Sequence, residues 1–147
     1  MKHLHFDVET AGFYGAYWAC AGGSDCAVIA MIGDDPEDRL ARSAVKWLCE
    51  QGVNVLTMSP AKKDYGHHNY PLERVGTAIS WLKANGNHKI GIAGASTTGT
   101  LALTAAAMFP DVTLTIAMTP SDFVWQGFMQ GKRDGCKEWP IEGESLF

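Results

Sequence analysis

The sequence predicts an α/β fold, with a mostly parallel sheet and helices on both faces in a three-layer αβα sandwich. Three observations predict it. Apolar runs of strand length fall at Cys26–Ile32, Val53–Met58, Lys89–Ala93 and Val112–Met118, as expected of strands buried on both faces. Stretches with helical spacing of apolar residues separate them. Glycine, proline or asparagine marks the junctions.

Residues 3–8 alternate weakly and suit a first edge strand, with Glu9-Thr10-Ala11-Gly12 as a turn. Phe13–Trp18 is aromatic-rich and reads as a hairpin partner of that strand. Cys20–Asp25 carries Gly22-Gly23 and reads as a loop before the run Cys26–Ile32. Gly33-Asp34-Asp35-Pro36 then switches to helix-start chemistry, with Asp35 as N-cap and Pro36 at the first helical position. Leu40, Ala44, Val45, Trp47 and Leu48 recur at helical spacing, and Gly52 fits just past the helix end.

Val53–Met58 is the next strand and Ser59–Tyr70 a polar loop. Pro71 restarts a helix with Leu72, Val75, Ile79 and Leu82 as its buried stripe, and Asn85-Gly86 stops it. Lys89–Ala93 leads into Gly94-Ala95-Ser96, and Thr98–Phe109 is an alanine-rich helix closed by Pro110. Val112–Met118 is the last predicted strand. Residues 121–147 read as an irregular tail or lid-like segment, with a short helix near Asp122–Gln130.

At 147 residues the chain suits a single domain, 1–147, with a substantial core. A net charge of -4 and pI near 5.7 argue against nucleic-acid partners. No apolar stretch approaches the ~20 residues of a membrane span, and the N-terminus lacks a signal-peptide core. Cys20, Cys26, Cys49 and Cys136 form no CxxC pair. Together these features predict a cytoplasmic protein with reduced thiols and neither metal nor cofactor.

The chemistry concentrates at Ser96. A strand, then small residues, then a serine, then a helix is the layout of a nucleophile elbow. The pattern Gly-x-Ser-x-Gly holds at Gly94 and Ser96 but places Thr98 fifth, with Gly99 one residue later. The elbow needs small residues because the turn is tight, and the β-branched Thr98 is expected to crowd it. The Thr97 amide, at the start of the following helix, is positioned to stabilise an oxyanion. The competing reading is a serine that caps an ordinary helix. A P-loop would need lysine after Gly99, where Thr100 stands, and glycines at 91, 94 and 99 do not make a dinucleotide fingerprint.

Asp34, in the turn after Cys26–Ile32, would supply the second oxyanion amide in a hydrolase of this layout. His67, His68 and His88 read as loop residues without metal spacing. Asp122 follows the last strand on the side of Ser96 and is a weak candidate for a catalytic acid. No histidine follows His88, so a serine–acid–histidine triad in that chain order cannot be completed within these residues.

The region from Gly12 to about Gly131 resembles the α/β-hydrolase fold. More narrowly, it is similar to the C-terminal catalytic domain of the acyl-CoA thioesterase and bile acid-CoA:amino acid N-acyltransferase family. The segments that carry the resemblance are Gly12–Tyr17, Ala27–Ile32 with Gly33, and Tyr70-Pro71-Leu72-Glu73-Arg74 with Ala78–Leu82. Gly91–Ser96 and Pro110-Asp111-Val112 complete them. The resemblance implies a partial α/β-hydrolase with Ser96 as nucleophile toward an acyl ester or thioester. It also implies that the chain stops before the strands that carry the acid and the histidine, so these residues alone are expected to be inactive or incomplete. The alternative is a non-catalytic binding module on a degenerate hydrolase fold. A sheet that ends at Val112–Met118 exposes an edge, which predicts cover by the tail or a homodimer.

Overall fold

The computed structural model describes residues 3–59 and 70–122. The loop histidines His67 and His68, the helix expected near Asp122–Gln130 and the remaining tail lie outside them, apart from Ser121 and Asp122. Six strands form one sheet: β1 (His3–Phe6), β2 (Gly15–Trp18), β3 (Cys26–Met31), β4 (Asn54–Met58), β5 (Lys89–Ala95) and β6 (Val112–Met118). Their spatial order is β1-β2-β4-β3-β5-β6. β1 and β2 form the predicted antiparallel hairpin, and β2 lies antiparallel to β4. From β4 through β3 and β5 to β6 every pairing is parallel.

The helices are α1 (Val8–Ala11), α2 (Arg39–Glu50), α3 (Glu73–Ala84) and α4 (Thr97–Met108). Residues 9–11, expected with Gly12 as a plain turn, belong to the single-turn α1. Gly12 ends it at φ 77, a left-handed cap that glycine adopts without a Cβ clash.

The three layers follow from strand alternation. Ala27, Ile29 and Met31 of β3 point to one face, where Val75, Ala78, Ile79 and Leu82 of α3 and Ala102 and Ala105 of α4 cover them. Val28 and Ala30 point to the other, packed with Val45 and Leu48 of α2 and with Ala16, Trp18 and Ala93. The mostly parallel sheet with helices on both faces is therefore present as predicted.

Helix α2 begins later than its local signals suggest. Asp38, not Asp35, is its N-cap, and its carboxylate accepts the Ala41 N–H at 2.8 Å. Asp35 is engaged elsewhere: its carboxylate accepts the Tyr14 hydroxyl at 3.0 Å and the Glu37 N–H at 2.9 Å. Residues 33–38 are thereby held as a loop across the carboxyl end of β3. Ala41, Val45 and Leu48 form the buried stripe of α2, whereas Leu40 and Trp47 are 57% and 58% exposed.

The amino ends of the strands are fixed by buried amides. Asn54 donates to Asn87 Oδ1 at 2.8 Å and accepts the Cys20 N–H at 2.9 Å. Asn87 donates in turn to the Leu82 carbonyl at 3.2 Å. Buried amides left without such partners would each cost about 1–3 kcal/mol, so this network locks the end of the sheet opposite Ser96. At the far edge, β6 is the outermost strand among the described residues. Its Leu114, Ile116 and Met118 are 55%, 37% and 44% exposed.

Candidate active site

Ser96 stands between the end of β5 and the start of α4, with φ 54 and ψ -122. Positive φ is unfavourable for a residue with a Cβ, and such strain is of order 1–3 kcal/mol. Ser96 is exposed, and its side chain makes no capping hydrogen bond to α4. An ordinary N-cap serine has extended backbone and bonds the helix through its hydroxyl. The serine here does neither: its backbone turns sharply and its hydroxyl is presented to solvent.

The surroundings over-determine this corner. The Ser96 N–H donates to the Met118 carbonyl at the end of β6, 2.8 Å away. A Cβ on Gly94 would run into the Thr98 carbonyl and stand 2.9 Å from Gly99 N, so the first turn of α4 folds directly back on β5. A Cβ on Gly99 would stand 3.0 Å from the Met118 carbonyl oxygen. Each glycine thus marks a real close approach of backbone.

Thr98, expected to crowd the turn, is buried and fits it. Its Oγ1 accepts the Ala95 N–H at 2.9 Å and lies 2.6 Å from the Met31 carbonyl and 2.9 Å from that of Ala95. One hydroxyl proton serves one carbonyl at a time, and the shorter distance favours Met31. The serine corner is therefore tied to β3 through Thr98 and to β6 through its own amide.

Asp34 follows the end of β3, the strand beside β5, so the two candidate oxyanion positions lie at neighbouring strand ends. Thr97 opens α4, where the first amides have no carbonyl partner within the helix. The Asp34 N–H donates to Asp38 Oδ2 at 2.7 Å, and the Asp35 N–H donates to the same oxygen at 3.2 Å. In this arrangement the Asp34 amide is occupied by a side chain of its own loop. Burial alone would raise the Asp38 carboxyl, but the N–H groups of Ala41, Asp34, Asp35 and Leu40 together hold it below the usual carboxylate range. Its contribution to the loop is present near neutral pH and lost as pH falls through that lowered value.

Asp122 is exposed and follows β6, on the same end of the sheet as Ser96. None of the three described histidines stands beside the serine. His88 precedes β5 at the amino end, and its N–H donates to the Asp25 carbonyl. His3 and His5 lie on β1, with β2, β4 and β3 between them and β5. Both contact the Glu37 carboxylate, at 3.1 and 3.2 Å.

Two of the three described cysteines, Cys26 and Cys49, are held toward the thiol form. The hydrogen bond to Asp25 pushes the Cys26 thiol up, and burial does the same for Cys49. Both shifts disfavour the reactive thiolate.

No family model and no curated protein matches the chain. Solved structures do match. An esterase of Pyrococcus furiosus is 19% identical, with TM-score 0.57, over 78% of this chain and 53% of its own. Est1E of Butyrivibrio proteoclasticus is 20% identical, with TM-score 0.58, over 82% of this chain and 51% of its own. A protein of unknown function from Agrobacterium tumefaciens, proposed to be an α/β hydrolase, is 11% identical, with TM-score 0.61. That match covers 83% of this chain and 63% of the other. The chain spans between about half and two thirds of the length of these structures. At such identities the likeness speaks to fold alone, and with the strand order and the strained serine corner it gives one conclusion. The chain has a partial α/β-hydrolase fold, with Ser96 at its strand-to-helix turn.

Proposed function

We propose that Ser96 is an acyl-transfer nucleophile acting on an ester or thioester. The observation that carries this reading is the serine's strained, exposed corner, which a capping role does not require. Attack by Oγ forms a Ser–acyl bond and breaks the C–O or C–S bond of the substrate. With no described histidine beside Ser96, solvent takes the hydroxyl proton, and the leaving alcohol or thiol takes up a proton from water. The Thr97 and Asp34 amides are the proposed oxyanion donors, Asp34 once released from Asp38, and Asp122 the proposed acid. Resemblance to the acyl-CoA thioesterase and N-acyltransferase family favours an acyl thioester, and the cysteine usage favours the cytoplasm as its place of action. The occupied Asp34 amide favours a second reading, a non-catalytic module that binds acyl esters.

A fluorophosphonate probe separates the two. With solvent as the base, slow labelling of the wild-type chain at Ser96 is expected, and Ser96→Ala is expected to fall to background, read by mass spectrometry of the labelled peptide. Labelling that does not depend on Ser96 would sink the nucleophile assignment.

We also propose that β6 pairs with a second copy of the chain. Centred on Thr115, the strand is self-complementary: an antiparallel partner sets Leu114 against Ile116 and Val112 against Met118, all on one face. It carries no charge or proline to block an added strand. Light scattering is expected to show a dimer for the wild type and a folded monomer for Leu114→Lys. A wild-type monomer at all concentrations would count against the pairing.

A further inference from the structure

Ser96 is not the only non-glycine residue with positive φ among the described residues. Thr119, directly after β6, has φ 45 and is exposed. It is β-branched and precedes Pro120, two features that make a left-handed backbone unfavourable. Strain of this kind persists only where neighbours enforce it, and it clusters at functional sites.

Two hydrogen bonds enforce it here, one on each side. The residue before Thr119 is Met118, whose carbonyl accepts the Ser96 N–H at 2.8 Å. Two residues beyond it, the Ser121 N–H donates to Oγ1 of the buried Thr100 at 2.9 Å. Both anchors belong to the start of α4: Ser96 is its cap and Thr100 its fourth residue. Thr119 and Pro120 therefore arch between two points fixed to the serine corner, and Gly99 allows the approach by leaving room for the Met118 carbonyl. The two strained residues stand at neighbouring strand ends, both exposed, and the residue before Thr119 is hydrogen-bonded to the Ser96 amide.

We propose that Thr119 is a specificity-determining residue that contacts the substrate next to the scissile carbonyl, and that Thr100 is the positioning residue that holds it there. With Pro120, it walls one side of the space above Ser96 and limits the bulk of the group bound there. Esters or thioesters that are slender at that position are accepted over branched ones. This rests on Ser96 being the nucleophile.

The test compares labelling rates of the full chain with a slender alkyl fluorophosphonate and a bulky branched one, alongside thermal unfolding. In Thr119→Gly, which accepts φ 45 without strain and removes the side chain, the slender-to-bulky rate ratio is expected to fall at least fivefold. In Thr119→Trp it is expected to rise at least fivefold. Thr100→Val, which keeps the shape but removes the acceptor for the Ser121 N–H, is expected to shift the ratio, and Thr100→Ser to restore it. A merely structural role would change unfolding without changing the ratio. An unchanged ratio in a folded Thr119→Gly overturns the proposal and leaves the nucleophile standing. Failure of the wild type to label at Ser96 overturns both.

Discussion

Replacing Gly94 by alanine is expected to break the serine corner and lower stability by about 3 kcal/mol. The added Cβ would collide with the Thr98 carbonyl and press on Gly99 N, which are backbone atoms of the first turn of α4. A side chain could rotate out of the way; these atoms cannot. The strand cannot retreat either, because Gly94 is paired with Met31 of β3 on one side and with Ala117 of β6 on the other. Relief must come from moving α4 outward. That movement stretches the Ser96 N–H bond to Met118 and pulls Thr98 from the Met31 carbonyl. Gly91→Ala is the matched control on the same strand. Its nearest obstacle is a methyl of Val28 at 3.3 Å, a side chain able to yield, so a cost below about 1 kcal/mol is expected. Urea unfolding of the two variants decides the matter: equal midpoints would mean that α4 does not fold back onto Gly94 as tightly as the structure has it.

The centre of the sheet was legible in the sequence because β3, β4 and β5 are buried on both faces, so their apolar runs are continuous, whereas β6, read the same way, is an edge strand among the described residues with half-exposed side chains. The start of α2 was not legible. Asp35 and Pro36 are good local helix-start residues, but the Asp35 carboxylate is held by Tyr14, 21 positions earlier in the chain. No local pattern reports a contact across that separation. The tie of the Asp34 amide to Asp38 was hidden for a related reason. Asp38 could be read from sequence as helix-start acid, but not as a carboxylate spanning Asp34, Asp35 and Ala41 at once.

The serine corner was recognisable from small residues around Ser96, whereas the role of Thr98 was not. Measured against a glycine pattern, a β-branched residue looks like an intrusion. One signal was available: threonine in the first turn of a helix can hydrogen-bond nearby backbone. Thr119 offered no signal, because threonine is not a residue that favours left-handed backbone.

Thr98→Val is expected to lower stability by roughly 3 kcal/mol, with Thr98→Ser within about 1 kcal/mol of wild type. Valine keeps the volume and branching of threonine, so the change isolates the hydroxyl. Its loss leaves the Ala95 N–H without its acceptor and the Met31 carbonyl without this donor, in a buried setting. Thr98→Gly makes the sharper test, because it restores the glycine spacing of the usual serine motif. If the motif glycine were simply better, the substitution would stabilise the corner. The geometry predicts the reverse, since glycine removes the same hydroxyl, empties the volume the side chain fills and adds about 1 kcal/mol of helix cost. The expected order of urea midpoints is wild type near Ser, then Val, then Gly. A Gly variant as stable as the wild type would mean that the tether from α4 to β3 contributes nothing. The order predicted here would show that this chain holds its serine corner by a hydroxyl bridge where the usual motif relies on a bare glycine.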